Sequence, residues 1–147
     1  MSTAAVLSLM TILTVGLASC ATAPPAADYF DKRTPENVVD AFRYAIETNQ
    51  RGFAFHCLTE SSREDLSPSH FILLGWREEE GVSYRDLVVR GQRGARDPID
   101  GDRGTVYTFF DGDNDAGIPA YIFLDVHVER DPASGLWFID LLTTFGL

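Results

Sequence analysis

The residues able to do chemistry in this 147-residue chain are few and scattered: Cys20 and Cys57, His56, His70 and His127, and alternating aspartates at Asp111, Asp113 and Asp115. Cys20 closes the stretch Leu17-Ala18-Ser19-Cys20, at the end of an apolar run from Ala4 that carries no charge. Such a run is shorter than the roughly 20 apolar residues of a membrane-spanning helix and suits the apolar region of an export leader. The small side chains at Ala18 and Ser19 fit a peptidase pocket that admits only short residues. Cys57 lies in the apolar Phe53-Ala-Phe-His-Cys57-Leu58 and reads as a buried thiol behaving as a small hydrophobe. His56 cannot activate it, because successive residues on a helix point about 100° apart.

Asp111-Gly-Asp113-Asn-Asp115-Ala-Gly117 places oxygen ligands at alternate positions, as calcium loops do. Ala116 stands where the turn glycine belongs, and Ile122 where a bidentate glutamate is needed. The stretch is therefore read as a solvated hairpin connection between Phe110 and Ile118. Weak calcium binding through Asp111, Asp113 and Asp115 is the alternative. The histidines are too far apart in sequence for metal-ligand spacing. No metal site and no cofactor are expected.

The elements that position these residues fall into two halves. Residues 21–33, with Pro24 and Pro25, read as an extended tether. Thr34-Pro35-Glu36 opens a helix: Thr34 caps it, Pro35 is preorganised for the first turn, and Glu36 suits the positive end of the dipole. Val38, Val39, Phe42, Ala45 and Ile46 form its apolar stripe, and Asn49 to Gly52 ends it. Phe53 to Leu58 is a second short helix, broken at Thr59-Glu-Ser-Ser62. Ser67-Pro68 starts a third, with Phe71, Leu74 and Trp76 on its buried side. Val82 to Arg90 is expected as a strand, Gly91 to Gly104 as a long solvated loop, and Thr105 to Phe110 as a strand. Ile118 to Glu129 alternates most clearly. Ile118, Ala120, Ile122, Leu124, Val126 and Val128 lie on one face, and Tyr121, Phe123, Asp125, His127 and Glu129 on the other. A turn at Asp131 to Gly135 leads to a last strand, Leu136 to Leu142. The fold class is α+β, with N-terminal helices on an antiparallel sheet of about four strands.

Leu17-Ala18-Ser19-Cys20 resembles the lipobox of bacterial lipoproteins. The resemblance implies that residues 1–19 are a signal peptide and that Cys20 becomes the first residue. It would carry a diacylglyceryl thioether and an amide-linked acyl chain such as palmitate. More than one chain makes anchoring stable, at about 0.8 kcal/mol per buried methylene. The protein would then belong to the cell envelope, with Ala21 after the cysteine favouring the outer membrane. The first charged side chain is Asp28, so the positive charge usual in a leader would come from the amino group of Met1 or from an upstream start. The net charge of −10 falls wholly beyond the leader. Phosphates and anionic headgroups repel such a domain, so nucleic acid is excluded as a partner and the membrane is held through the lipid.

Thr34-Pro35-Glu36-Asn-Val-Val-Asp-Ala-Phe42, Gly52-Phe53, and Gly135-Leu-Trp137-Phe-Ile139-Asp resemble the nuclear transport factor 2-like superfamily over Thr34 to Leu147. That resemblance implies a cone, a curved sheet wrapped around helices, in a superfamily of isomerases, dehydratases and many non-enzymatic modules. Within such a cone His70, Asp140 and Tyr107 would be the catalytic candidates of a small pocket enzyme. The reading preferred is a non-catalytic binding or assembly module. Its partner protein, or a second copy, would meet Tyr121 and Phe123 on the outer sheet face, joined by Phe138 if Trp137, Ile139 and Leu141 point inward. The tether or the last residues, Thr143 to Leu147, could instead cover these rings.

Overall fold

The computed structural model describes residues 31–66, 78–97 and 99–146. Helix α1 runs Pro35–Glu47, and the Thr34 hydroxyl accepts the Asn37 N–H at 3.1 Å as its cap. Its apolar stripe buries Val38, Val39, Ala41, Phe42 and Ala45. Asn49, at φ +59°, takes the left-handed conformation that turns the chain into α2 (Arg51–His56).

The second helix ends at His56, before Thr59, but Glu60 to Ser62 are not a plain break: Thr59 starts α3 (Glu60–Asp65), its hydroxyl accepting the Ser62 N–H at 3.2 Å. Serine and threonine disfavour helix interiors for the same reason that they cap well: their oxygens compete for backbone donors. The helix expected after Ser67-Pro68 lies outside the described residues.

Val82 to Arg90 is not a strand. A two-residue hairpin, β1 (Glu78–Glu79) and β2 (Val82–Ser83), turns through Glu80 and Gly81, both at positive φ, as a type I′ turn requires. Ser83 then caps Asp86 N–H at 3.1 Å and opens α4 (Tyr84–Arg90). The alternation of this stretch is imperfect, and the cap and the buried Leu87 decide for helix. The expected loop from Gly91 to Gly104 contains strand β3 (Gln92–Arg96), which pairs with the next strand around a bulge between Arg93 and Arg96. It is an edge strand without apolar alternation, so only its backbone pairing marks it.

Two long strands, β4 (Arg103–Asp113) and β5 (Pro119–Arg130), pair antiparallel from Arg103↔Glu129 to Asp113↔Pro119. The last strand, β6 (Trp137–Ile139), is shorter than expected. Asp140 ends it and caps α5 (Leu141–Phe145), its carboxylate accepting the Thr143 N–H at 3.1 Å. The four-stranded antiparallel sheet has the order β3-β4-β5-β6.

One face of the sheet packs on the helices. Val106, Leu124, Val126, Val128, Trp137 and Ile139 form a core with α1 and Leu141, and Phe110, Ala120 and Ile122 form a second with Val82 and Leu87. The far edge of β6 is sealed. The Lys32 carbonyl accepts the Trp137 N–H at 2.8 Å, and Cys57 and Thr59 exchange backbone bonds with Ile139 at 2.8 and 2.9 Å. Behind that edge, the fully buried Ser62 hydroxyl accepts the Leu141 N–H at 3.0 Å, joining α3 to α5.

Candidate functional site

The strict β4–β5 register gives the outer sheet face a grid of three cross-strand pairs: Asp111 beside Tyr121, Phe109 beside Phe123, and Tyr107 beside Asp125. Directly opposed side chains in such a pair lie about 5 Å apart. The Tyr121 and Phe123 rings meet edge to face, 5.0 Å between centroids and 87° between planes; Phe109 and Tyr121 are 6.0 Å apart at 45°. Despite these contacts Tyr121 is 55% and Phe123 66% exposed. Alternation on β5 is the cause: burying Ala120, Ile122, Leu124 and Val126 forces the odd-numbered side chains outward. Ile118, expected to face inward with them, stands before the strand at the hairpin tip and is 59% exposed.

Carboxylates frame the rings. Asp111 and Asp125 are exposed, and among the described residues no Lys or Arg pairs with either. The Tyr107 hydroxyl donates to the Asp97 carboxylate, which holds the phenol above its ordinary pKa. Loss of the phenolic proton would put a second negative charge beside Asp97.

Phe138 does not join this cluster. It shares the face but pairs with Glu129, six residues along β5 from Phe123 and so about 20 Å away. The Lys32 ammonium lies over its ring at 4.2 Å and donates to the His56 carbonyl at 3.0 Å. Burial lowers the pKa of that ammonium. Trp137, Ile139 and Leu141 are buried, and the last residues of the expected tether cover Phe138. Phe109, the third ring of the cluster, went unread in the sequence. Alternation about the buried Phe110 puts it outward, but its neighbours depend on a register that only pairing supplies.

The residues of the enzyme alternative do not converge. His70, like Cys20, lies outside the described residues. Asp140 is spent on capping α5, and Tyr107 points outward to Asp97. The space between the sheet and α1 is a cavity of about 20 Å³, lined by groups such as Phe42, Leu124, Val126 and Phe145, room for about one water. Its one buried hydroxyl, on Thr108, donates to the Leu124 carbonyl at 3.1 Å.

The aspartates of the calcium alternative are held apart by their elements. Asp111 and Asp113 are strand residues of β4, and Asp115 belongs to the turn. Asn114 organises that turn, its side-chain oxygen accepting the N–H groups of Ala116 and Ile118, each at 3.0 Å. Among the described residues no three His, Cys, Asp or Glu converge as a metal site would require. No helix among them is long and apolar enough to cross a membrane.

Cys57 is fully buried, and burial pushes its thiol up to about 12. A thiol held neutral is a poor nucleophile. His127 sits at the mouth of a groove with Asp140 and Thr143, its backbone N–H donating to the Thr144 hydroxyl at 3.0 Å. Comparison with family models, curated proteins and solved structures returns no match for this chain.

Proposed function

We propose that this protein is a lipid-anchored component of the cell envelope whose single α+β domain is a non-catalytic docking module. Cys20 is the lipidated residue, and the outer sheet face is the docking surface. The observation that carries the docking reading is the contiguous Phe109–Tyr121–Phe123 cluster, exposed on a sheet whose other face is filled by the core. Aromatic side chains brought together on a surface lose little conformational entropy when a partner covers them, and they dominate binding where they occur. Helices followed by an antiparallel sheet are the element order of a nuclear transport factor 2-like cone, which we adopt as the finer fold. No observation favours the pocket enzyme.

The anchor and the surface are tested separately. Mass spectrometry of the mature N-terminus should find Cys20 first in the chain, carrying a thioether-linked diacylglyceryl group and an acyl amide. An unmodified Cys20 removes the anchor. Phe123→Thr, at a position two-thirds exposed, should leave stability unchanged and abolish retention of a partner that the wild-type protein holds in solubilised envelopes. Equal retention by the variant removes the surface.

A further inference from the structure

We propose that the outer-face cluster recognises a cationic segment of a partner protein, one that places Arg or Lys side chains over Tyr121 and Phe123. The inference rests on the docking reading above and adds the chemistry of the partner. A ring face carries partial negative charge and attracts guanidinium or ammonium groups. Here each flank of the ring cluster also carries a carboxylate: Asp111 across from Tyr121, Asp125 two residues along from Phe123, and Asp97 at the Tyr107 hydroxyl. A cation above these rings would meet aromatic faces and unpaired carboxylates together. Arginine suits this best, since its planar group stacks on a ring while donating sideways to oxygen.

The same arrangement disfavours the other occupants. A second copy in a two-fold contact would set the patch against itself, bringing two sets of the carboxylates Asp111, Asp125 and Asp97 into one interface. Two chains of net charge −10 repel each other in addition. Anionic headgroups and nucleic-acid phosphates meet the same repulsion. At the far end of the sheet the half-buried Glu129 holds Arg103 at 2.8 Å, and on α1 the half-buried Asp40 holds Arg93 of β3 at 2.6 Å. The aromatic end is where charge is left to be met by a partner.

The probe is a short fluorescein-labelled peptide of alternating Arg and Ser, titrated with the full mature protein and compared with its Glu-Ser counterpart. The Arg peptide should bind and the Glu peptide should not. Asp111→Asn with Asp125→Asn should weaken binding about fivefold, and Phe123→Thr about tenfold or more. Glu64→Gln with Asp65→Asn removes the same charge from exposed positions on α3 and should change affinity less than about twofold. An equal loss in that control means that only net charge is sensed, which overturns the proposal. So does equal binding of the two peptides, or a self-associated protein in sedimentation that Phe123→Thr makes monomeric. Aspartate variants without effect, beside a Phe123→Thr that still loses its envelope partner, would sink the cationic inference alone. Loss of neither peptide nor partner on Phe123→Thr would sink the docking surface with it.

Discussion

Cys57 shows how little a residue's type decides until its surroundings are known. Beside His56 in sequence it invites a nucleophilic reading; buried, with its pKa raised to about 12, it is a packing residue. A raised folded-state pKa contributes stability that is fully present below the unfolded value, near 9, and is lost as pH rises towards the folded one. In that window the unfolded chain gains by ionising its thiol and the folded chain does not, at up to about 1.4 kcal/mol per pH unit. Urea midpoints of the wild type should therefore fall more steeply than those of Cys57→Ala between about pH 9 and 11. At neutral pH the variant should be the less stable of the two, having lost a buried sulfur. Parallel pH profiles for the two proteins would show that the thiol is already solvated in the fold.

At the scale of elements, the junction of α4 and β3 depends on a residue with no side chain. A Cβ at Gly91 would stand 2.3 Å from the Leu87 carbonyl oxygen, the atom that accepts the Gly91 N–H at 3.0 Å. Gly91→Ala must break that bond or move the helix end, and should cost about 2–3 kcal/mol. Gly52→Ala is the opposite case: α2 leaves its Cβ position open, so alanine should add about 0.5–1 kcal/mol. Urea unfolding of both variants checks the pair, and two changes of the same sign would contradict it.

Neither effect is legible in the sequence, and the contrast marks what was. α1, with cap, proline and stripe together, and β5, with long alternation, follow from the sequence; the single caps at Thr59 and Ser83 are equally local but too weak to mark α3 and α4 by themselves. Elements defined by long-range partners are not legible either. β3 exists because β4 accepts its backbone, and α5 because Asp140 and Ser62 satisfy its first N–H groups. The site divides in the same way. Tyr121 and Phe123 follow from alternation on one strand; Phe109 and Asp111 enter only through register.

For the molecule as a whole, the question is where the domain begins. The sequence places the tether at residues 21–33, yet Asp31 accepts the Asn37 side-chain amide at 2.8 Å and the Lys32 carbonyl satisfies the N–H of the buried Trp137. A chain cut to start at Thr34 would leave that N–H without its partner, at about 1–3 kcal/mol. It would also uncover Phe138. A chain cut to start at Ala21 keeps both. The shorter form should thus unfold at lower urea with a similar m-value, since the same core is exposed in each. Lys32→Met in the longer form keeps the backbone bond and loses the ammonium over the ring together with its bond to the His56 carbonyl, about 1–2 kcal/mol, so it should fall between them. Equal midpoints for all three would return residues 31–33 to the tether. The outcome also bears on reach. If Cys20 is anchored as proposed, residues 21–30 between it and the described Asp31 span at most about 35 Å, and the proposed partner would have to reach the outer sheet face within that tether length plus the domain's own size.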